Sequence, residues 1–361
     1  MDRARPLIDW LVSEAAHVAD MGAFVDGLAA RLLAAGVPVS RVASMVETLH
    51  PRFVGMMRVW EPGGDLRARR ATFDDPDVVA PKRVYTIDEL QETGRPFEMR
   101  LDDPAVDRYE LLPRLRDEGH THYLMLPLRF RAEPLHGISF ATRRPRGFSA
   151  DDRALLDAVL PALTVAMNVV SSHGVSVEVL QAYVGAEPAG RILKGAIRRG
   201  DVRRIRAALY LSDLRGFTRL AVSAEPEATV AAVNAYLDRV VPPVVAGGGE
   251  VLKFMGDGVL AIFPIDAAAR EALASADRGR IGVALHVGEA AYGNIGAGDR
   301  LDFTIIGRDV NLLARIEKLC GVLGEDLVMS ADFAARLPAP GRALGEFELK
   351  GFDGKVAVFA P

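Results

Sequence analysis

The sequence predicts an α+β chain built from two domains. Three observations lead there. At 361 residues, half of them apolar and a quarter charged, the chain has the length and composition to bury two globular cores. Its first half mixes helical spacing with short apolar runs and closes on a long amphipathic helix. Its second half holds apolar strands that end in glycine turns carrying aspartate.

Composition also excludes several classes. A formal charge of −4 gives no electrostatic case for nucleic acid, because phosphate-backbone binders concentrate basic charge. The single cysteine, Cys320, rules out an internal disulfide framework and a thiol-rich metal site. The N-terminal Met1-Asp2-Arg3-Ala4-Arg5-Pro6 lacks the apolar core of a signal peptide. The most hydrophobic helical run, 155–170, contains Asp157, Pro161 and Asn168 and is too short to span a bilayer. The expectation is a soluble cytoplasmic protein without a membrane or nucleic-acid partner.

In chain order, Leu7, Leu11, Ala15 and Val18, then Phe24, Leu28 and Leu32, repeat at helical spacing up to Gly36-Val37-Pro38. Val42, Met45, Val46 and Leu49 predict a further amphipathic helix over 40–50. Residues 53–60 read as a strand with Pro62-Gly63-Gly64-Asp65 as its turn. The polar, proline-punctuated stretch 72–113 predicts loop with short elements. Strands follow at 123–130 and 137–142, on either side of Arg131-Ala132-Glu133-Pro134.

Ser149, with Asp152 three residues on, marks a helix start whose packing face is Leu155, Leu156, Val159, Leu163 and Ala166. His120 and His122 sit at alternate positions, where a metal or haem reading competes with a polar strand start and solvent-bonded imidazoles. No thiol ligand stands beside them in sequence, which favours the second. Arg143, Arg144 and Arg146 read as a solvated loop. Val175, Val179, Leu180, Tyr183 and Val184 predict a helix broken at Gly185-Ala186-Glu187-Pro188-Ala189-Gly190, and 191–206 is basic and amphipathic. No low-complexity linker or internal repeat separates the halves.

Three segments dominate the second half. Ala207 to Ser212 is a strand that delivers Asp213 into Leu214-Arg215-Gly216-Phe217-Thr218, a glycine turn opening a helix. Residues 250–263 are two apolar strands joined by the tight Gly256-Asp257-Gly258 hairpin. Residues 302–315 run from a strand into a helix on which Asn311 and Arg315, four apart, share a face. Either aspartate alone would read as a turn residue, and Arg315 as a partner of Glu317 or Glu325.

Together the three segments, in this order and spacing, resemble the catalytic domain of class III nucleotidyl cyclases over about the last 160 residues. The resemblance implies a mostly antiparallel sheet flanked by helices. It assigns Asp213, Asp257 and the carbonyl of Leu214 to two Mg²⁺ or Mn²⁺ ions per active site. Gly216, Phe217 and Thr218 would receive the β- and γ-phosphates, with Lys350 as a further triphosphate contact. Asn311 would orient the ribose and Arg315 would neutralise the α-phosphate.

Lys253 and Thr304 would read the base. Many family members carry Asp where this chain has Thr304, and Thr304 fits the bacterial subgroup with Ser or Thr there. Guanylate cyclases typically carry Glu and Cys at these two positions. ATP is thus expected over GTP, with conversion to 3′,5′-cyclic AMP and pyrophosphate. The family's sites are shared across a head-to-tail homodimer, with Lys253, Thr304, Asn311 and Arg315 given by the second chain.

Residues 115–170 resemble the end of GAF sensory domains, which implies a regulatory domain with an unidentified small-molecule effector. The organisation expected is a GAF-like α/β domain over 1–170, a helical transducer over 171–203 and a cyclase domain over 204–361. One departure stands out. Only residues 264–280 lie between Phe263 and Ile281, with a short helical candidate at 267–275, where the family has a longer helix. The rival readings are a catalytically silent nucleotide-binding module of the same fold, and a guanylate cyclase.

Overall fold

The computed structural model describes residues 3–47, 53–64, 67–73, 75, 84–130, 135–265, 281–298, 300–339 and 341–361. The chain divides into two compact units, Met1–Ala182 and Tyr183–Pro361. The helix expected at 267–275 and the turn at 131–134 lie outside the described residues.

The first unit runs α1 (Arg5–Ser13), a 3₁₀ turn at Ala15–His17, α2 (Met21–Ala34), β1 (Arg41–Glu47), β2 (Phe53–Trp60) and β3 (Arg67–Thr72). After these come α3 (Thr86–Thr93), β4 (Phe97–Arg100), a 3₁₀ turn at Pro104–Arg108, α4 (Leu112–Asp117), β5 (His122–Leu128), β6 (His136–Thr142) and α5 (Ala150–Val184). Its six strands form an antiparallel sheet in the order β3-β2-β1-β6-β5-β4. Alternation on β5 splits the core. Leu124, Leu126 and Leu128 pack with α1, α2 and α5, while Tyr123 and Met125 pack with α3 and α4. Asp20 caps α2, its carboxylate accepting from the N–H of Ala23 at 2.9 Å.

Three expectations for this unit are corrected. Residues 41–47 form β1, not a helix. Paired on both edges with β2 and β6, the strand buries Val42 and Ala43 on opposite faces. A strand covered on both sides loses its two-residue alternation, and its apolar positions then mimic helical spacing. His120 and His122 are buried, not solvent-bonded. His120 Nδ1 lies 2.9 Å from Ser40 Oγ, and His122 Nδ1 accepts from Phe148 N at 3.1 Å with Nε2 3.2 Å from Glu98. Arg144, expected in a solvated loop, is ion-paired to the buried Asp152.

Ser149 and Asp152 form the predicted cap, and the two expected helical stretches join into α5, 35 residues long. This helix is long and apolar enough to cross a bilayer by length and composition, contrary to the reading of 155–170 alone. Its face from Leu155 to Val170 is instead buried in the core of the first unit.

The second unit begins with α6 (Ala186–Leu193) after Gly185, whose φ of 91° breaks the preceding helix. Helix thus ends at Leu193, short of the expected 203. Next are β7 (Val202–Leu214), α7 (Phe217–Ser223), α8 (Pro226–Ala246), β8 (Glu250–Met255), β9 (Gly258–Pro264), β10 (Ile281–Ala297) and β11 (Arg300–Ile306). The chain closes with α9 (Arg308–Glu317), α10 (Leu319–Leu323), β12 (Leu327–Ser330), α11 (Ala331–Ala334), β13 (Arg342–Glu348) and β14 (Lys355–Ala360).

The sheet order is β13-β14-β12-β10-β7-β9-β8, with β11 added to the far half of β10. Every pairing is antiparallel except β10 with β12. One face, through Ala208 and Tyr210, packs on Tyr236, Val240 and Val244 of α8; the other, through Leu209 and Leu211, packs on Leu312, Leu313 and Ile316 of α9.

Candidate active site

Asp213 sits next to last on β7, a central strand, and its register partners are Gly258 on β9 and Gly282 on β10. With glycine on both sides, no cross-strand side chain flanks its carboxylate. Asp257 occupies the two-residue turn between β8 and β9, whose Gly256 takes a φ of 66°. Tight pairing of β7 with β9 therefore brings the strand-end aspartate to the hairpin aspartate, within hydrogen-bonding reach.

Burial, the hydrogen bond and charge of Asp257, and the charge of Glu317 push the Asp213 carboxyl up to about 7. Among the described residues its one opposing contact is the N–H of Leu214, 3.1 Å from Oδ1. Glu317, at the end of α9, belongs to the same acidic group. A Cβ at Gly282 would stand 3.1 Å from its Oε1, and burial raises its own pKa. Sequence reading had Glu317 only as a salt-bridge partner for Arg315.

Two anchors fix this geometry. Arg215 lies 3.0 Å from Asp326 and donates to the carbonyls of Cys320, at 3.3 Å, and Glu325, tying the segment after Asp213 to the α10–β12 connection. Asp309, in the first turn of α9, accepts from Glu289 N at 2.7 Å, and Gly288 leaves the space its carboxylate fills. Neither anchor was legible in sequence, since each partner is remote along the chain.

Asn311 and Arg315 lie on α9 away from the buried Leu312, Leu313 and Ile316. At 3.6 residues per turn, Arg315 and Glu317 point about 160° apart. With Glu317 against Gly282 and Asp213, Arg315 turns from that side. Among the described residues it makes no hydrogen bond or ion pair, and Glu325 pairs with Arg342 at 2.6 Å instead.

Lys253, on β8, is ion-paired to Asp302 of β11. Asp302 is two residues before Thr304 on the same strand face, so the pair brings Lys253 beside the largely buried Thr304. Asp302 is a partner of Lys253 that sequence reading missed; its position two before Thr304 was the available signal.

Gly216 adopts a left-handed conformation (φ 78°) at the start of the seven-residue α7, with Phe217 half-buried and Thr218 exposed. Lys350 is exposed in the turn between β13 and β14, and Arg308 lies over the Phe352 ring, 5.4 Å from its centroid. Asp213 and Asp257 are thus together, as are Lys253 and Thr304. The face bearing Asn311 and Arg315 belongs to neither group.

No family model matches the chain. Adenylate cyclase 2 of Rhizobium meliloti strain 1021 is 29% identical over 231 residues, covering 56% of this chain and 63% of that protein. The adenylate cyclase of Anabaena cylindrica is 26% identical over 175 residues, covering 42% of this chain and 34% of that protein. The adenylyl cyclase CyaB from P. aeruginosa, a crystal structure, matches 44% of this chain and 93% of its own at 26% identity and a TM-score of 0.38. The homologues of this chain therefore include proteins named adenylate cyclases, and the chain spans 63% of the first and about a third of the second.

Proposed function

We propose that this protein is a nucleotide cyclase that converts ATP to 3′,5′-cyclic AMP and pyrophosphate. The observation that carries the reading is the Asp213–Asp257 pair, two carboxylates held together with no cation, among the described residues, in the groups that set the proton affinity of Asp213. The donor set is all oxygen, two carboxylates and the Leu214 carbonyl, and so fits hard divalent ions such as Mg²⁺ or Mn²⁺. When bound, two such ions supply Lewis acidity toward the ribose 3′-hydroxyl and charge neutralisation at the phosphates.

The remaining work falls to side chains and main-chain groups of this chain. Asn311 orients the ribose, and Arg315, which makes no hydrogen bond or ion pair among the described residues, neutralises charge developing on the α-phosphate. Lys253, held by Asp302, donates to adenine N1, and the Thr304 hydroxyl accepts from the N6 amine. Main-chain N–H groups of 216–218 receive the β- and γ-phosphates, with Lys350 as an outer contact.

Because Arg315 turns away from the acidic group of its own chain, the reading that fits is a head-to-tail homodimer with shared sites. Asp213 and Asp257 come from one chain; Lys253, Thr304, Asn311 and Arg315 come from its partner. The N-terminal unit acts as a GAF-like regulator through 171–203, and the whole works in the cytoplasm.

The test is cyclic nucleotide formation by the full chain from ATP and from GTP, with Mg²⁺ or Mn²⁺. Cyclic AMP is the expected product. Predominant cyclic GMP would replace the ATP assignment, and no product from either nucleotide would point to a silent binding module. Mixing Asp257→Ala with Arg315→Ala tests the shared site. Each homodimer should be nearly inactive, while random heterodimers keep one intact site and restore about a quarter of wild-type activity. Heterodimers that form without recovery would refute sharing.

A further inference from the structure

The first unit contains a cavity of about 480 Å³ between β1, β2, the connection from α1 to α2, and the second half of α5. Its origin is visible in the sequence of α5. The buried stripe of that helix runs through Leu163, Ala166, Met167 and Val170, and the same face continues with Ser171, Gly174 and Val175. Small residues there replace the large ones that close the core one turn earlier. At Gly174 an added Cβ would meet nothing within 4 Å. The volume falls in the range of sites for small organic ligands, about 300–1,000 Å³.

The polar groups of the wall are unevenly provided for. Asp20 is engaged in capping α2, and Glu178 lies 3.7 Å from Arg70. Arg58 has no such partner among the described residues: its Nη1 is buried without a hydrogen bond. Ser44, its register partner on β1, shares that face of the sheet and is fully buried, with Oγ also unpartnered. Of the two, Arg58 lines the cavity, and a guanidinium left incomplete at its wall calls for an acceptor.

We propose that this cavity binds a small amphipathic carboxylic acid. Its carboxylate rests on Arg58, and its apolar part lies against Val18, Met21, Val46, Met56 and Val170. A carboxylate matches the planar guanidinium fork. A monoanion suits the site because, with His17 and His173 neutral, Arg58 is its one fixed positive charge among the described residues, and Asp20 and Glu178 also line it. The inference stands apart from the cyclase reading, since binding is measured without turnover.

The test is calorimetric titration of the full chain with octanoate and with 1-octanol. Octanoate should saturate at one per chain and bind about tenfold or more tightly than octanol. Arg58→Met should abolish that preference. Gly174→Phe places a ring at the opening on a helical position that gains propensity, and should weaken octanoate binding about tenfold or more. Equal binding of acid and alcohol, or no saturable octanoate binding, overturns the proposal. If Arg58→Met fails to fold by near-ultraviolet circular dichroism, Gly174→Phe decides, because unchanged octanoate affinity in that folded variant refutes the site.

Discussion

Asp152 lies in the first turn of a helix and Asp213 at the end of a strand, and their protons are held in opposite ways. Asp152 is the more buried, at 2% exposure. Burial pushes its pKa up, but the Ser149 N–H and hydroxyl, at 2.9 and 2.7 Å, and the Arg144 guanidinium outweigh it and hold the carboxyl below its ordinary range. Asp213 keeps more contact with solvent; burial pushes its pKa up as well, and there the neighbours Asp257 and Glu317 add to the rise instead of opposing it. Burial alone therefore does not set a carboxylate's character; the groups gathered round it do. A fully matched carboxylate stabilises the fold, whereas one crowded by like charge is held toward its neutral form.

The sharpest break between the two comes from deletion. Asp257→Ala should lower kcat by a factor of about 10²–10³ or more, through loss of a cation ligand. In the presence of EDTA its thermal midpoint should match or exceed that of wild type, since a repulsive neighbour of Asp213 has gone. A large fall in both quantities would make Asp257 a structural residue. Asp152→Ala should behave in the reverse manner. It strands the Ser149 and Arg144 donors and should cost about 2–4 kcal/mol of stability, read as a drop of several degrees in thermal unfolding of the first unit. An unchanged midpoint would mean that Arg144 and Ser149 are satisfied by water.

What sequence reading could find follows from the same distinction. Asp213, the Gly256-Asp257 turn and the Asn311/Arg315 face were legible because local chemistry places them: a strand end, a two-residue hairpin, one side of a helix. Glu317, Asp302 and Asp309 were not, because their significance lies in Gly282, Lys253 and Glu289, 35, 49 and 20 residues away. Residues 41–47 failed for a related reason. Two flanking strands bury both faces of β1, and the period that marks a half-exposed strand vanishes with them. The Arg144–Asp152 pair was half legible, since Ser149 and Asp152 announce a cap and nothing local names the arginine.

Base recognition offers a smaller effect of the same type, because Lys253 has a matched partner in Asp302. Lys253→Glu with Thr304→Cys exchanges the donor and acceptor roles at the base edge and puts a glutamate opposite Asp302. The ratio of kcat/KM for ATP to that for GTP should fall about tenfold or more. Adding Asp302→Asn should recover part of the lost overall rate by removing the new like-charge contact. A ratio that does not move would show that neither residue reads the base.

The smallest effect is the most specific to Asp213, and it carries the opposite sign from that of Asp152. Between its ordinary value of 3.8 and about 7, the Asp213 carboxyl is protonated in the folded chain and ionised in the unfolded one, so folding takes up a proton. Stability from this group is fully present below about pH 4 and is lost as pH rises through about 7. Asp213→Asn removes the titration and stays neutral throughout. In EDTA the variant should therefore unfold near the wild-type temperature at pH 4 and a few degrees above it at pH 8, on a scale of about 2–4 °C per kcal/mol. The gap should stay modest because solvent screens a half-exposed carboxylate. Saturating Mn²⁺ should invert the order at pH 8, since the ionised wild-type site gains a ligand that the asparagine variant binds poorly. Parallel curves for the two proteins across this range, with and without Mn²⁺, would mean that Asp213 feels neither Asp257 nor a cation, and the acidic pair would lose its claim to be the active site.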